Sequence, residues 1–212
     1  EELEYLQQRK LPIPPYGAAY SINRGLWGVT IGGTETLTSA GSIPDSAWVL
    51  SRDAFSAPRP PTRHTISFQA GRPCALDGKQ LDAVSLIEQL EALTAPFGIG
   101  RGIHLGDTII GTKGRVAFEA PAAETLLTAH RELESLALDR ETAHYQQILS
   151  LRYAEMVYYG MWFTPLREAL DGFFASSQKR VTGSVGLTLR RGNVTIASRK
   201  SPSRCQCASL EH

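Results

Sequence analysis

The sequence predicts an α+β fold: antiparallel hairpins with a helical layer. Apolar residues alternate around turn residues, and others recur at helical spacing between proline and glycine breaks. Strands and helices do not alternate regularly one for one, as a parallel sheet would require. At 212 residues the chain is long enough to bury a real core, and a single compact unit is expected.

The opening EELEYLQQRK is a helical run with no capping residue before it. LPIPPYG is expected to be extended, because each proline removes an amide donor and disfavours helix in its predecessor. In AAYSINRGLWGVTIGG, Tyr20, Ile22, Leu26, Val29 and Ile31 are interrupted by Asn23-Arg24-Gly25, which predicts strand, turn, strand. Residues 33–62 are rich in Gly, Ser, Thr and Pro. They read as a long irregular excursion anchored by Trp48, Val49, Leu50 and Phe55.

HTISFQAGRPCAL alternates with Ile66, Phe68 and Ala70 on one face, turns at Gly71-Arg72-Pro73 and returns to Asp77-Gly78. Asp82 is placed to cap a helix carrying Val84, Ile87, Leu90 and Leu93, stopped by Pro96 and Gly98. GDTIIGTKGRVAFEAP, residues 106–121, reads as strand, tight turn around Lys113-Gly114, and a second strand running into a helix. Pro121 suits the first turn of that helix, and Leu126, Leu127, His130, Leu133 and Leu136 line one face.

Asp139 is placed to cap a further helix bearing Ile148, Leu151, Tyr153, Met156, Val157 and Tyr159. Pro165 forces a break, and 166–176 form a last helix with Ala169, Leu170, Phe173 and Phe174. TGSVGLTLRRGNVTIASR then predicts a hairpin, with Val185, Leu187 and Leu189 followed by Val194 and Ile196 around Arg191-Gly192-Asn193.

A net charge of +1 gives no broad cationic field, so nucleic acid is not an expected partner. Arg190, Arg191, Arg199, Lys200 and Arg204 fall in or beside the last hairpin and read as a solvated sheet face. No apolar run reaches the roughly 18 residues of a membrane span, and no secretory signal is recognisable. Three cysteines, two of them Cys205 and Cys207, make no disulfide framework, and a cytoplasmic location is expected. The termini suggest a fragment: 1–10 as the end of a connector helix, 11–202 as one domain, 203–212 as a tail ending in a cloning-site remnant.

Chemical motifs are sparse. GGTETLTS has glycines and hydroxyls but no strand leading into a helix and no lysine in the phosphate-loop position. FGIGRG lacks the third glycine of a dinucleotide fingerprint and reads as a helix C-terminal turn. The five histidines show no ligand-like pairing, and no metal site is expected. His130 reads as a hydrogen-bonded core residue. No serine-histidine-acid set and no pair of catalytic carboxylates emerges, so no catalytic residue is assigned. The run MVYYGMWF reads as core.

Read together, LPIP, YSINRGLWGVTIGG, PFGIGR, GTKGRVAFEAP, YAEMVYYGMWFTPLREALDGFFASSQKRVTGSVGLTL and SRKSP resemble the carboxy-terminal part of argininosuccinate synthase. The resemblance runs over about 11–202 in the family's order, and SQKRVTG and the hairpin ending EAP are its most specific strings. It implies an ATP-dependent ligase of arginine biosynthesis that joins citrulline to aspartate through an adenylated intermediate, releasing AMP and pyrophosphate. ATP with Mg would bind a missing amino-terminal half, whose Ser-Gly-Gly-x-Asp loop has no counterpart here. This part would supply some of the citrulline pocket and the homotetramer interfaces. Alone it would be inactive. After Pro202, SRCQCASLEH departs from the family's tail helix. A free-standing assembly module of the same fold without chemistry is the alternative.

The resemblance also assigns substrate-contacting positions. Two hydroxyl residues nine apart fall on Ser21 and Thr30, and both can hydrogen-bond without adding charge. Where the family places a glutamate and, twelve residues on, a tyrosine, this chain has Gly106 and Phe118. A glutamate there would pair with the α-ammonium of citrulline; with an acylated amine it would be a buried anion without its cation. The expected ligand is therefore citrulline or, by this charge argument, an N-acylcitrulline such as the acetyl or succinyl derivative. Gly106 would vacate side-chain volume; Lys113 and Arg115 could meet an acyl carboxylate, but they read first as solvated turn residues. A subset of the family with GDTIIG and FEA in this hairpin is associated with acylated intermediates.

Overall fold

Each segment read as helix or hairpin takes that form in a computed structural model, which describes residues 2–12, 19–38 and 40–203. Most of the LPIPPYG linker, and Arg204, Cys205, Cys207 and the rest of the tail, lie outside the described residues. The elements are α1 (Glu2–Gln8), β1 (Tyr20–Gly25), β2 (Gly28–Gly33), β3 (Thr62–Gln69), β4 (Arg72–Leu76), β5 (Lys79–Gln80) and α2 (Ala83–Thr94). There follow β6 (Arg101–Asp107), β7 (Lys113–Glu119), α3 (Pro121–Ala137), α4 (Arg140–Tyr158), α5 (Pro165–Gln178), β8 (Gly183–Arg190) and β9 (Asn193–Lys200). Every strand pair is antiparallel, so the class is α+β. No helix among the described residues is long and apolar enough to cross a membrane.

The chain divides into two compact units where one was expected. The first comprises Glu1–Pro60, Ile87–Thr125 and Arg190–Asn193, and its sheet has the order β1-β2-β7-β6. One face of this sheet buries Val29, Ile31 and Ala117 against Ile43, Ala47 and Trp48 from the irregular excursion. That excursion contains two short 3-10 turns, Thr34–Leu37 and Asp45–Ala47, and Phe55, expected as an anchor, is exposed. The second unit, Pro61–Leu86, Leu126–Leu189 and Val194–His212, carries the sheet β5-β4-β3-β8-β9. Its core includes Ile66, Phe68, Leu133, Val185, Leu187 and Leu189.

Several boundaries shift by a few residues. The first hairpin turns at Leu26-Trp27, between the paired Gly25 and Gly28, so Asn23 and Arg24 remain in β1 and Leu26 sits at an exposed tip. Gly28 explains the position: its φ is +136°, and a Cβ there would lie 2.1 Å from the carbonyl oxygen of Glu119. β3 turns at Ala70-Gly71, both at positive φ, so Ala70 is a turn residue and Arg72 and Pro73 belong to β4. The β6–β7 turn is made by 108–112, closed by Thr108 N–H donating to the Thr112 carbonyl, and Lys113 and Gly114 belong to β7.

Helix caps follow the expected chemistry. Asp82 accepts from the Val84 and Ser85 amides, and Asp139 from the Thr142 amide. Both aspartates are held below the usual carboxylate range, chiefly by the neighbouring hydroxyl, of Ser85 and of Thr142 respectively.

The helix faces differ in detail. Leu86 replaces Val84 on the buried side of α2, and Ala122, Leu126, Ala129 and Leu133 form that of α3, leaving Leu127 exposed. Ala169 of α5 is exposed, while Leu170 is buried. The largest departure is α4 and the turn after it. Of MVYYGMWF only Met156 is fully buried; Val157, Tyr158, Tyr159 and Trp162 are about half exposed, and Phe163 is 94% exposed. Tyr145, Ile148 and Leu151 are exposed too. Helical periodicity reports a face that wants cover but not which element supplies it.

The specific string SQKRVTG proves structural. Ser177 donates to Gln146, and Gln178 donates through Nε2 to Glu134 and accepts at Oε1 from Nε2 of His130 at 3.0 Å. Thr182 accepts from the Ala70 amide. His130 is accordingly part-buried and hydrogen-bonded, as its helical position suggested.

Candidate functional site

The four-stranded sheet of the first unit positions the candidate site. In an antiparallel pair, opposed residues share a face and neighbours along a strand alternate. Val29, Ile31 and Ala117 face the core, so Thr30 and its partner Phe118 face the other way. Thr30 is also opposed to Asn23, which places Ser21, two residues along, on the same outer face. Phe118 is opposed to Gly102, so His104 and Gly106 share that face. All four positions assigned from the sequence, Ser21, Thr30, Gly106 and Phe118, thus lie on one surface. From Thr30 to β6 is two strand spacings, about 10 Å, and Gly106 lies four residues farther along β6 than Gly102, roughly 14 Å.

Two rings cover the glycines of β6 on this surface. A Cβ at Gly102 would fall 2.5 Å from Cζ of Phe118, so the phenyl ring lies over Gly102. A Cβ at Gly106 would fall 2.3 Å from Nε2 of His104. The volume that Gly106 was expected to vacate is taken by this imidazole, because residues two apart on a strand project side by side.

Lys113 and Arg115 do not belong to this surface. Gly114 is opposed to Gly106 and shares the outer face, so both flanking cations project from the other side. Lys113 pairs with Asp107 at 2.6 Å, and Arg115 donates to the carbonyl oxygens of Glu35 and Gly41. The strand register leaves them off the surface where an acyl carboxylate would lie, and Lys113 is a solvated residue of the strand, not of the turn.

Directly behind the surface lies an anchor that the sequence reading missed. Glu119 is 1% exposed and accepts from the amides of Val49 (2.6 Å), Leu50 (2.9 Å) and Ser51 (2.8 Å), and from the Ser51 hydroxyl. Arg101 donates through Nε to the Ser51 hydroxyl at 2.6 Å and through its guanidinium to the Ser51 carbonyl. It also pairs with Asp45 at 3.2 Å. Its charge lies 4.7 Å from the Trp48 ring centre and 4.9 Å from that of Phe55. Burial pushes the guanidinium below its usual value, and Glu119 and Asp45 partly restore it. Three converging amides and a nearby cation satisfy a carboxylate that would otherwise be very costly to bury. The signal was available: in VAFEA the period of two puts Glu119 on the same side as Ala117.

This anchor ties the 43–57 excursion to the ends of β6 and β7 and fixes the strands that present Thr30 and Phe118. No group of three or more His, Cys, Asp or Glu side chains that could hold a metal occurs among the described residues.

A family model described as the arginosuccinate synthase C-terminal domain matches residues 20–209. The chain is 40% identical over 203 residues to an argininosuccinate synthase of Moorella thermoacetica, covering 95% of this chain and 50% of that protein. It is 40% identical over 203 residues to one of Pelotomaculum thermopropionicum (95% and 51%) and 44% identical over 185 residues to one of Rhodococcoides fascians (86% and 46%). The chain spans about half the length of these relatives. With its two antiparallel sheets, its hairpin ending in Glu119 and its SQKRVTG hub, the chain belongs to the argininosuccinate synthase family, as the C-terminal domain.

Proposed function

We propose that this chain is the substrate-binding and oligomerisation domain of a cytoplasmic, AMP-forming ligase that condenses an N-acylcitrulline with aspartate to give the N-acylargininosuccinate. The observation that carries the reading is one surface bearing Ser21, Thr30 and Phe118 with no carboxylate at Gly106. Ser21 and Thr30 would orient the ligand through neutral hydrogen bonds, and the Phe118 ring would present an apolar wall where a phenol would present a donor. An acylated amine carries no charge, and position 106 supplies none to meet it.

The nucleotide and Mg are assigned to the rest of the longer enzyme. The oligomer in this reading is a homotetramer; the exposed apolar side chains of α4 and the turn after it support association, not the number of subunits.

The test uses the longer enzyme that contains this chain, supplied with ATP and aspartate and, separately, with citrulline, N-acetylcitrulline or N-succinylcitrulline. AMP release should be fastest with an acylated substrate, and Gly106→Glu should move the kcat/KM ratio at least about tenfold toward citrulline. Preference of the unsubstituted enzyme for citrulline removes the acyl part of the reading. Absence of turnover with all three removes the ligase.

A further inference from the structure

The outer face of β6 presents only three side-chain positions, Gly102, His104 and Gly106, and His104 is the one that can make a hydrogen bond. Its ring lies with Nε2 nearest the position a Cβ would take on Gly106; Cδ2 and Cε1 stand farther off, at 3.1 and 3.3 Å from that point. The polar edge of the imidazole therefore points at the place where a side chain at 106 would begin. His104 is exposed and lies opposite Val116, which supplies no polar group. The other basic residues of the hairpin, Arg101, Lys113 and Arg115, project from the opposite face and have partners there.

We propose that His104 is a specificity-determining residue, donating its Nε2–H to the carbonyl oxygen of the substrate's N-acyl group. This rests on the acyl reading given above. An amide carbonyl brought against a protein surface needs a donor, and leaving one unpaired costs about tenfold or more in binding. Both the Nε2–H tautomer and the imidazolium can donate, so the contact does not depend on full protonation. The acyl carbonyl is common to acetyl and succinyl derivatives, whereas the terminal carboxylate belongs to succinyl alone.

The position also makes residues 104 and 106 mutually exclusive. Any side chain at 106 displaces the imidazole, so an acid at 106 and a donating histidine at 104 cannot use the same space. The pair thereby reads the state of the amine: an acid would select the ammonium, and the histidine selects the amide.

The longer enzyme is assayed as His104→Ala and His104→Gln against citrulline, N-acetylcitrulline and N-succinylcitrulline, with KM and kcat measured separately. His104→Ala should raise KM about tenfold for both acylated substrates, leave KM for citrulline within about twofold, and change kcat little. His104→Gln, which restores a side-chain N–H, should recover most of the loss. Thermal melts should coincide, because the ring is exposed. An equal shift for all three substrates, or no shift for the acylated pair, overturns the assignment. A shift confined to N-succinylcitrulline also overturns it, since the carboxylate would then be what is recognised. If the unsubstituted enzyme prefers citrulline, the acyl reading itself fails whatever His104 does; if it prefers acylated substrates and His104→Ala changes nothing, only His104 is wrong.

Discussion

The two faces of the β1-β2-β7-β6 sheet treat polar groups in opposite ways. On the inner face Glu119 is a buried anion whose acceptors are met by three amides and a hydroxyl, with Arg101 alongside. On the outer face, one residue back along β7, Phe118 leans over Gly102, and the surface holds hydroxyls, glycines and one histidine. On the inner face the Glu119 carboxylate is met within the chain, although Glu35 Oε2, beside the Tyr20 hydroxyl, is buried without a partner among the described residues. The outer face has donors and acceptors to spare, as a surface awaiting a ligand would. Substitutions on the two faces should therefore separate cleanly into losses of stability and changes of recognition.

The largest effect is expected at Glu119. Glu119→Gln keeps the volume but replaces one acceptor oxygen with a donating amide aimed at groups that already donate. Losing charge-assisted bonds in a buried site should cost about 3 kcal/mol, or roughly 6–12 °C in melting temperature for a chain of this size. A thermal melt within about 2 °C of the unsubstituted protein would dissolve the contrast between the faces.

Gly28→Ala comes next. It places a methyl 2.1 Å from the Glu119 carbonyl oxygen at a φ of +136°, so either β2 or the end of β7 must shift. A cost of about 2 kcal/mol is expected from strain and displaced packing, read by chemical denaturation. Arg101→Lys should cost about 1 kcal/mol, because an ammonium cannot reproduce the fork that holds the Ser51 hydroxyl and carbonyl together or lie flat against Trp48 and Phe55. If Arg101→Lys cost as much as Glu119→Gln, the guanidinium and not the carboxylate would be the organising charge of the anchor.

How much of this was legible follows the same division. Alternation and helical spacing identify elements because burial imposes those periods, and turns such as Asp77-Gly78 and Arg191-Gly192 are legible because the chain needs positive φ there. The first hairpin was displaced by three residues because Asn23-Arg24-Gly25 has turn composition, while the close approach of Gly28 to Glu119, a contact distant in sequence, fixes the turn at Leu26-Trp27. Ser21, Thr30, Gly106 and Phe118 could be assigned from strings, but that they share one face follows only from the register of four strands. The placement of His104 over Gly106 is likewise a matter of rotamer and strand direction. α4 shows the converse: its apolar residues were read as core, yet nothing in a single chain's periodicity distinguishes an interior from a surface that another chain would cover.

The smallest effects should come from the outer face, and their ranking tests whether that face is structural or held open. Gly102→Ala pushes against Phe118, whose ring is part-buried and has limited room, so about 1 kcal/mol is expected. Gly106→Ala pushes only against the far end of His104, an exposed side chain that can swing into solvent. Replacing a strand glycine also restricts the unfolded chain, a gain of roughly 0.4–1 kcal/mol that offsets the displaced ring. Gly106→Ala should thus leave the melting temperature within about 2 °C of the unsubstituted protein. A loss as large as that of Gly102→Ala would mean that His104 is packed in place, and the imidazole would then be a fixed part of the sheet instead of a group free to meet a ligand.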